Sequence, residues 1–234
     1  MLSFWKDIEV EQLIPSLQGL ADKIVAADGA YEGTPGATAK SSPALHKRIR
    51  QLCKRAGIGL ELIVPDAIYR GETEKRNVLI QRAAKGATWV FPADADWVFS
   101  GDRAGLREHL GLTRADVVFA RMHTPVIAEM EDVAPHPWHL QVAGKTINYP
   151  VFYRVLPGLR IEGRHWWYLA EKDGGTIALK GGPKGMPSAT EDKEPGIDFL
   201  IEHRCFYRDP ERLAARKEFY DRRDGIVAET GEEP

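Results

Sequence analysis

Residues 88–99 read Thr-Trp-Val-Phe-Pro-Ala-Asp94-Ala95-Asp96-Trp-Val-Phe, two apolar runs joined by alternating aspartates. The first run, Thr88 to Phe91, has the length and composition of a buried strand, so the acids fall at its carboxyl end. Reading back from it, Glu72 to Ala84 is a helix with Leu79, Ile80 and Ala83 on its apolar face, and Leu60 to Val64 is a second strand. Ser42-Pro43 supplies an N-cap and a first-turn proline, after which Leu45, Ile49, Leu52, Cys53 and Ala56 mark one helical face before Gly57. Lys23-Ile-Val-Ala-Ala27 is a further strand, closed by Asp28-Gly29, and residues 8–20 form a first helix that Pro15 kinks or restarts. Strand, helix, strand, helix, strand with short connections is the pattern of parallel βαβ units. Such a sheet takes its ligands outside the carboxyl ends of the strands, where Asp28, Asp94 and Asp96 fall.

Beyond residues 115–122, one more apolar strand, the rhythm changes. Pro125, Pro135, Pro137, Pro150 and Pro157 cut the chain into short β-rich pieces such as Val151–Val155 and Arg164–Tyr168. Residues 181–196 carry almost no apolar side chain and are expected to form a mobile loop that serves as a lid. Asp209-Pro210 caps a last helix to about Arg223, followed by an acidic tail. The expected organisation is an α/β half over 1–125, a smaller lobe over 126–208, and a C-terminal helix and tail over 209–234.

The whole chain bounds the function. Its 234 residues include 32 Lys+Arg against 34 Asp+Glu, a formal charge of −2, so any binding to nucleic acid or a membrane surface must use a local patch. Cys53 and Cys205 are too few and too far apart for a disulfide scaffold or a zinc motif, which favours a reducing compartment. There is neither an apolar run near the roughly 20 residues of a membrane span nor a signal-peptide order at Met1 to Glu9. A soluble, unprocessed, cytoplasmic protein with no membrane partner is expected.

Alternate carboxylates such as Asp94 and Asp96 can hold a hard divalent cation while leaving positions open for phosphate oxygens. The plainer alternative is a turn in which they satisfy backbone amides. Asp28 with Gly29 allows close approach of a flat ligand or, more simply, makes a turn. Glu74-Lys75-Arg76-Asn77 lies just inside a helix, where cations serve an anionic ligand or form an ordinary solvated face.

In this order, Lys23–Tyr31, Glu74–Asn77, Trp89–Asp96 and Glu202-His203-Arg204 resemble the nucleotide-sugar half of GT-A fold glycosyltransferases, particularly family 2-like enzymes of actinobacteria and their phages. The resemblance covers roughly residues 4–100 and returns near the C-terminus. It implies a Rossmann-like, mostly parallel sheet with a smaller acceptor lobe, and a hexosyltransferase-like enzyme moving sugar from a nucleoside diphosphate, UDP favoured, to an acceptor hydroxyl. Asp28 and Gly29 would receive the base, and Lys75, Arg76 and Asp94 would line the donor pocket. Asp94, Asp96 and His203 would hold Mn2+ or Mg2+. The sequence departs from the family at its start, where the usual first strand is nearly absent before Phe4-Trp5-Lys6-Asp7.

An inverting transfer needs a carboxylate to take the acceptor proton, and Glu162, Asp132 and the Glu191-Asp192 pair are the candidates. No acid occurs between Glu32 and Glu61, a stretch holding Lys40, Lys47, Arg48, Arg50, Lys54 and Arg55. Those cations are either a solvated helix face or a dock for a DNA acceptor, with Trp138, Trp166 and Trp167 available to stack on bases or sugars; a protein or glycan is the other acceptor. The rival readings are a nucleotidyltransferase, although no Gly-rich phosphate loop precedes the first helix, and a binder of sugar nucleotides or nucleic acid without turnover.

Overall fold

A computed structural model describes residues 1–7, 9–126, 141–163, 167–205 and 218. The candidate base Asp132, the aromatics Trp138 and Trp166, and the C-terminal helix apart from Glu218 lie outside these residues.

The chain is a mixed α/β protein. Its first sheet contains β1 (Leu2–Ser3), β2 (Lys23–Ala27), β3 (Gly59–Ile63) and β5 (Ala93–Asp94), all parallel in the order β3-β2-β1-β5. The connecting helices are α1 (Val10–Ser16), α2 (Pro43–Ala56) and α3 (Glu72–Ala83). Helix α2 forms where its punctuation predicts. The Ser42 side chain accepts from the Leu45 amide, Pro43 opens the helix, and Gly57 ends it in the left-handed conformation at φ 69°. Its buried face is Ile49, Leu52 and Cys53, and burial pushes the Cys53 thiol up to about 11, as suits a core residue. The first strand, nearly absent from the sequence pattern, exists as two residues at the centre of the sheet, with Leu2 and Phe4 each 1% exposed.

The predicted strand over 88–91 divides. Trp89–Val90 (β4) pairs antiparallel with β8 (Thr146–Arg154), after which Pro92, unable to donate to a ladder, releases the chain to cross into the parallel sheet as β5. After Ala95 and Asp96 it leaves again as β6 (Trp97–Gly101). The aspartates therefore sit at the joint between two sheets. The second sheet is mixed, with order β4-β8-β7-β13-β6, where β7 is Val117–His123 and β13 is Phe199–His203. Strand β8 is one nine-residue strand rather than short pieces, because Pro150 is accommodated at a register shift opposite Val118 and Phe119.

Two elements were not anticipated. Helix α4 (Arg103–Leu112) is capped by Asp102, whose carboxylate accepts from the Gly105 amide at 2.9 Å. A third sheet holds β9 (Arg160–Ile161), β10 (Tyr168–Lys172) and β11 (Gly175–Lys180), with β10 and β11 joined by Asp173-Gly174 at φ 52° and 82°. An Asp-Gly pair with two positive φ angles is the hairpin signal, legible in the sequence but unused in its reading.

Within residues 181–196, Glu191–Asp192 (β12) pairs parallel with β7. Asp116 anchors it: its carboxylate accepts from the Thr190 hydroxyl at 2.7 Å, the Thr190 amide at 3.1 Å and the Lys172 ammonium at 2.6 Å. The largest apolar cluster lies between α1, α2, α4 and the first two sheets, and a second joins α3 to β8, β10 and β11. No helix of the described residues is long and apolar enough to cross a membrane.

Candidate functional site

Order β3-β2-β1-β5 means that the chain winds away from β1 first on one side and then on the other, which opens a crevice at the carboxyl ends of β1 and β5. Ser3 and Asp94 are register partners at that point. Tyr31, from the β2–α2 connection, brings its hydroxyl to 3.2 Å from the Ser3 hydroxyl, and α3 begins alongside at Gly71.

The fold uses the predicted donor-pocket residues in different ways. Asp28 is fully buried. Its carboxylate accepts from the Gly29 amide at 2.7 Å and from the Ser41 amide and hydroxyl at 2.6 Å each, and it meets His46 Nε2 at 2.6 Å. Asp28 thus clasps the start of α2 to the end of β2. Gly29, at φ 109°, is required by its own chain, since a Cβ there would lie 2.7 Å from the Ala39 carbonyl oxygen. Lys75 is 1% exposed and donates from Nζ to the carbonyls of Phe4 at 2.8 Å and Gly29 at 2.7 Å, tying the ends of β1 and β2 together. Burial lowers its amine to about 7 despite the carboxylates of Asp7 and Asp28.

Arg76 and Asp94 open to the crevice. Arg76 Nη2 lies 2.6 Å from Glu72 and 3.2 Å from Asp94, whose side chain remains 37% exposed. These charges hold the guanidinium well above its usual value against the cost of burial. Facing them across the crevice are three residues that the sequence reading missed. Tyr168 lies within reach of the charge of Arg76, and burial raises its hydroxyl to about 12. Lys180, paired in register with Tyr168, places Nζ 2.5 Å from the Tyr149 hydroxyl and 3.9 Å from the centre of that ring. Burial, then the charge of Arg76, lowers the Lys180 amine to about 7, while Asp94 opposes the shift. Burial pushes the Tyr149 hydroxyl up, and Asp94 adds to the effect.

The predicted metal ligands come together in part. Asp96 and His203 are 3% and 6% exposed, and His203 Nε2 lies 3.6 Å from Asp96 Oδ2 because Trp97 and His203 are partners in the β6–β13 ladder. The other ring nitrogen of His203, Nδ1, is 3.5 Å from the Thr124 hydroxyl. Asp94 is two residues away, with one oxygen turned to Arg76. Among the described residues no group of three His, Cys, Asp or Glu side chains is already gathered as a metal cage.

The two carboxylates considered as bases are held apart. Glu162 is 62% exposed and accepts from Arg160 Nε at 2.8 Å. It follows Ile161, whose amide and carbonyl are both clasped by the Asn77 side-chain amide at 2.8 Å, next to Arg76 on α3. Asp192 meets His109 of α4 at 2.7 Å, beside β7. A separate cavity of about 460 Å³ between α4, β7 and residues 193–199 is lined by Leu106, Phe119, Arg121, Asn148 and Phe199, and by none of the predicted site residues.

No family model matches the chain, and no curated protein is significantly similar to it. The site must be read from its own geometry. That geometry offers a partly exposed carboxylate beside a guanidinium at a sheet switch point, with a buried carboxylate–imidazole pair behind it.

Proposed function

We propose that the protein is a metal-dependent glycosyltransferase that binds a nucleoside-diphosphate sugar in the crevice between β1 and β5. The observation that carries this reading is the meeting of Asp96 and His203 at the switch point, two residues along from Asp94, because Asp96 and His203 are far apart in the chain and meet only through the β6–β13 pairing. The pair fits a divalent cation. Two donors each about 2.1 Å from one ion stand roughly 3 Å apart, and Thr124 beside Nδ1 leaves Nε2 to face Asp96. Asp96 and His203 would hold the ion, with Asp94 at the crevice side. When bound, it supplies electrostatic stabilisation of the charge that grows on the departing diphosphate.

The chain's own residues do the rest. Arg76 stands beside Asp94 to orient anionic oxygens, and Ser3 and Tyr31 present hydroxyls at the crevice edge. Glu162 is better placed than Asp192 to receive the acceptor proton, because the Asn77 clasp ties its neighbour Ile161 to the helix that carries Arg76.

The test is a thermal-shift panel of nucleotides with and without manganese, followed by a donor-hydrolysis assay on the sugar nucleotides that stabilise the protein. A manganese-dependent rise in melting temperature with a nucleoside diphosphate, together with slow release of free sugar, is expected. Pyrophosphate release from a nucleoside triphosphate would make the protein a nucleotidyltransferase. Binding with no turnover would make it a binding protein.

A further inference from the structure

We propose that Lys180 and Arg76 form a two-pronged oxyanion clamp across the crevice, with Tyr149 positioning the lysine, and that the clamp grips a phosphate group directly without a metal ion. The inference rests on the reading that the crevice takes a phosphorylated donor, and it assigns the phosphate contact to a residue on a different sheet from the aspartates. Lys180 ends β11 and is the register partner of Tyr168, so the two side chains share one face of the hairpin, and both feel the charge of Arg76.

The partners of Lys180 distinguish it from other lysines. Lys23, Lys172 and Lys193 each lie within 2.9 Å of a carboxylate. Among the described residues Lys180 has no carboxylate within 4 Å, and its ammonium is held by a neutral hydroxyl and an aromatic face. The groups around it are Tyr149 of β8, Tyr168 of β10, Arg76 of α3 and Asp94 of β5. Glu72 and Asp94 are already engaged by Arg76. A partly desolvated ammonium beside a guanidinium raises the free energy of the empty site, and an arriving phosphate relieves it by accepting charge-assisted hydrogen bonds from both. Tyr149 restricts the flexible lysine stem beforehand, which lowers the entropic cost of that contact.

The experiment is calorimetric titration of the full chain with inorganic pyrophosphate in the presence of a chelator. The wild-type protein should bind, Lys180→Met should bind about tenfold more weakly or worse, and Lys180→Arg should keep most of the affinity. Lys193→Met, which removes a surface lysine outside the crevice, should change nothing. Lys180→Gln replaces the methionine variant if that one fails to fold. Equal affinity in wild type and Lys180→Met, or no pyrophosphate binding by the wild type, overturns the clamp. Sugar-nucleotide hydrolysis with manganese separates this result from the transferase reading. Pyrophosphate binding that depends on Lys180 without any turnover keeps the clamp and removes the transferase. Turnover by Lys180→Met with an unchanged KM removes the clamp and keeps the transferase.

Discussion

Lys75 carries its amine into a site where two backbone carbonyls replace water, and its proton affinity records the cost. In the unfolded chain the amine titrates near 10.5, but in the fold at about 7. Between those values the unfolded chain holds a proton that the folded protein has lost, so this residue makes stability rise with pH from about 7 towards 10, and its full penalty is felt below 7. Comparing denaturant midpoints at pH 7 and pH 9, wild type should gain on Lys75→Met by at most about 1.4 kcal/mol per pH unit. Parallel pH profiles would show that the amine is not desolvated. His203 yields a second prediction. If Asp96 and His203 share a cation, His203→Ala should raise the manganese concentration needed for half-maximal nucleotide binding about 10- to 100-fold with little change in melting temperature. A variant that melts early while keeping its metal dependence would mark the histidine as a packing residue.

Strand β9 is only two residues long, yet it fixes the position of Glu162 because Asn77 of α3 takes the place of a neighbouring strand and bonds both backbone groups of Ile161. Asn77→Ala leaves a buried amide and carbonyl without these partners and should cost about 2 kcal/mol, read as a lower melting temperature. Asn77→Asp keeps only the acceptor and should be destabilising too. The two candidate bases separate at the same level. Glu162 lies next to the Asn77 clasp, whereas Asp192 belongs to β12 and is engaged by His109. Glu162→Gln should therefore lower kcat by at least 100-fold with KM nearly unchanged, as removal of a general base does. Asp192→Asn should leave kcat unchanged and lower stability by about 0.5 kcal/mol, the scale of a partly exposed ion pair.

The molecule's charge is close to balanced, but its distribution is uneven. Lys47, Arg50, Lys54 and Arg55 are exposed on α2 and make no ion pair among the described residues, while Arg48 is held by Glu11. Asp28 anchors the start of this helix beside the carboxyl edge of β2, so one end of the cationic ridge lies at the edge of the sheet that carries the crevice. If the acceptor is DNA, duplex affinity should fall steeply with salt, and Arg50→Ala and Lys54→Ala should each reduce the slope of log K against log salt by about one. No DNA binding at low salt would leave the ridge as a solvated face and point to a protein or glycan acceptor.

The βαβ order, the ends of α2 and the placing of Asp28 and Asp94 at strand ends were readable from the chain, because periodicity, caps and turn residues act over a few positions. The same local signals could not tell Asp28 from Asp94. Both are acids closing apolar strands, yet one is sealed beneath Ser41 and His46 and the other opens beside Arg76. Nor could they bring Asp96 to His203 or Lys180 to Tyr149, since those meetings depend on strand register and on Pro92 passing the chain from one sheet to the other. Lys180 directly precedes the stretch read as a loop, and the Asp173-Gly174 turn reveals the hairpin but not what faces its last residue. Local chemistry sets where the chain turns and which faces are apolar. Long-range pairing sets which polar groups share a space, and with it their solvation and charge.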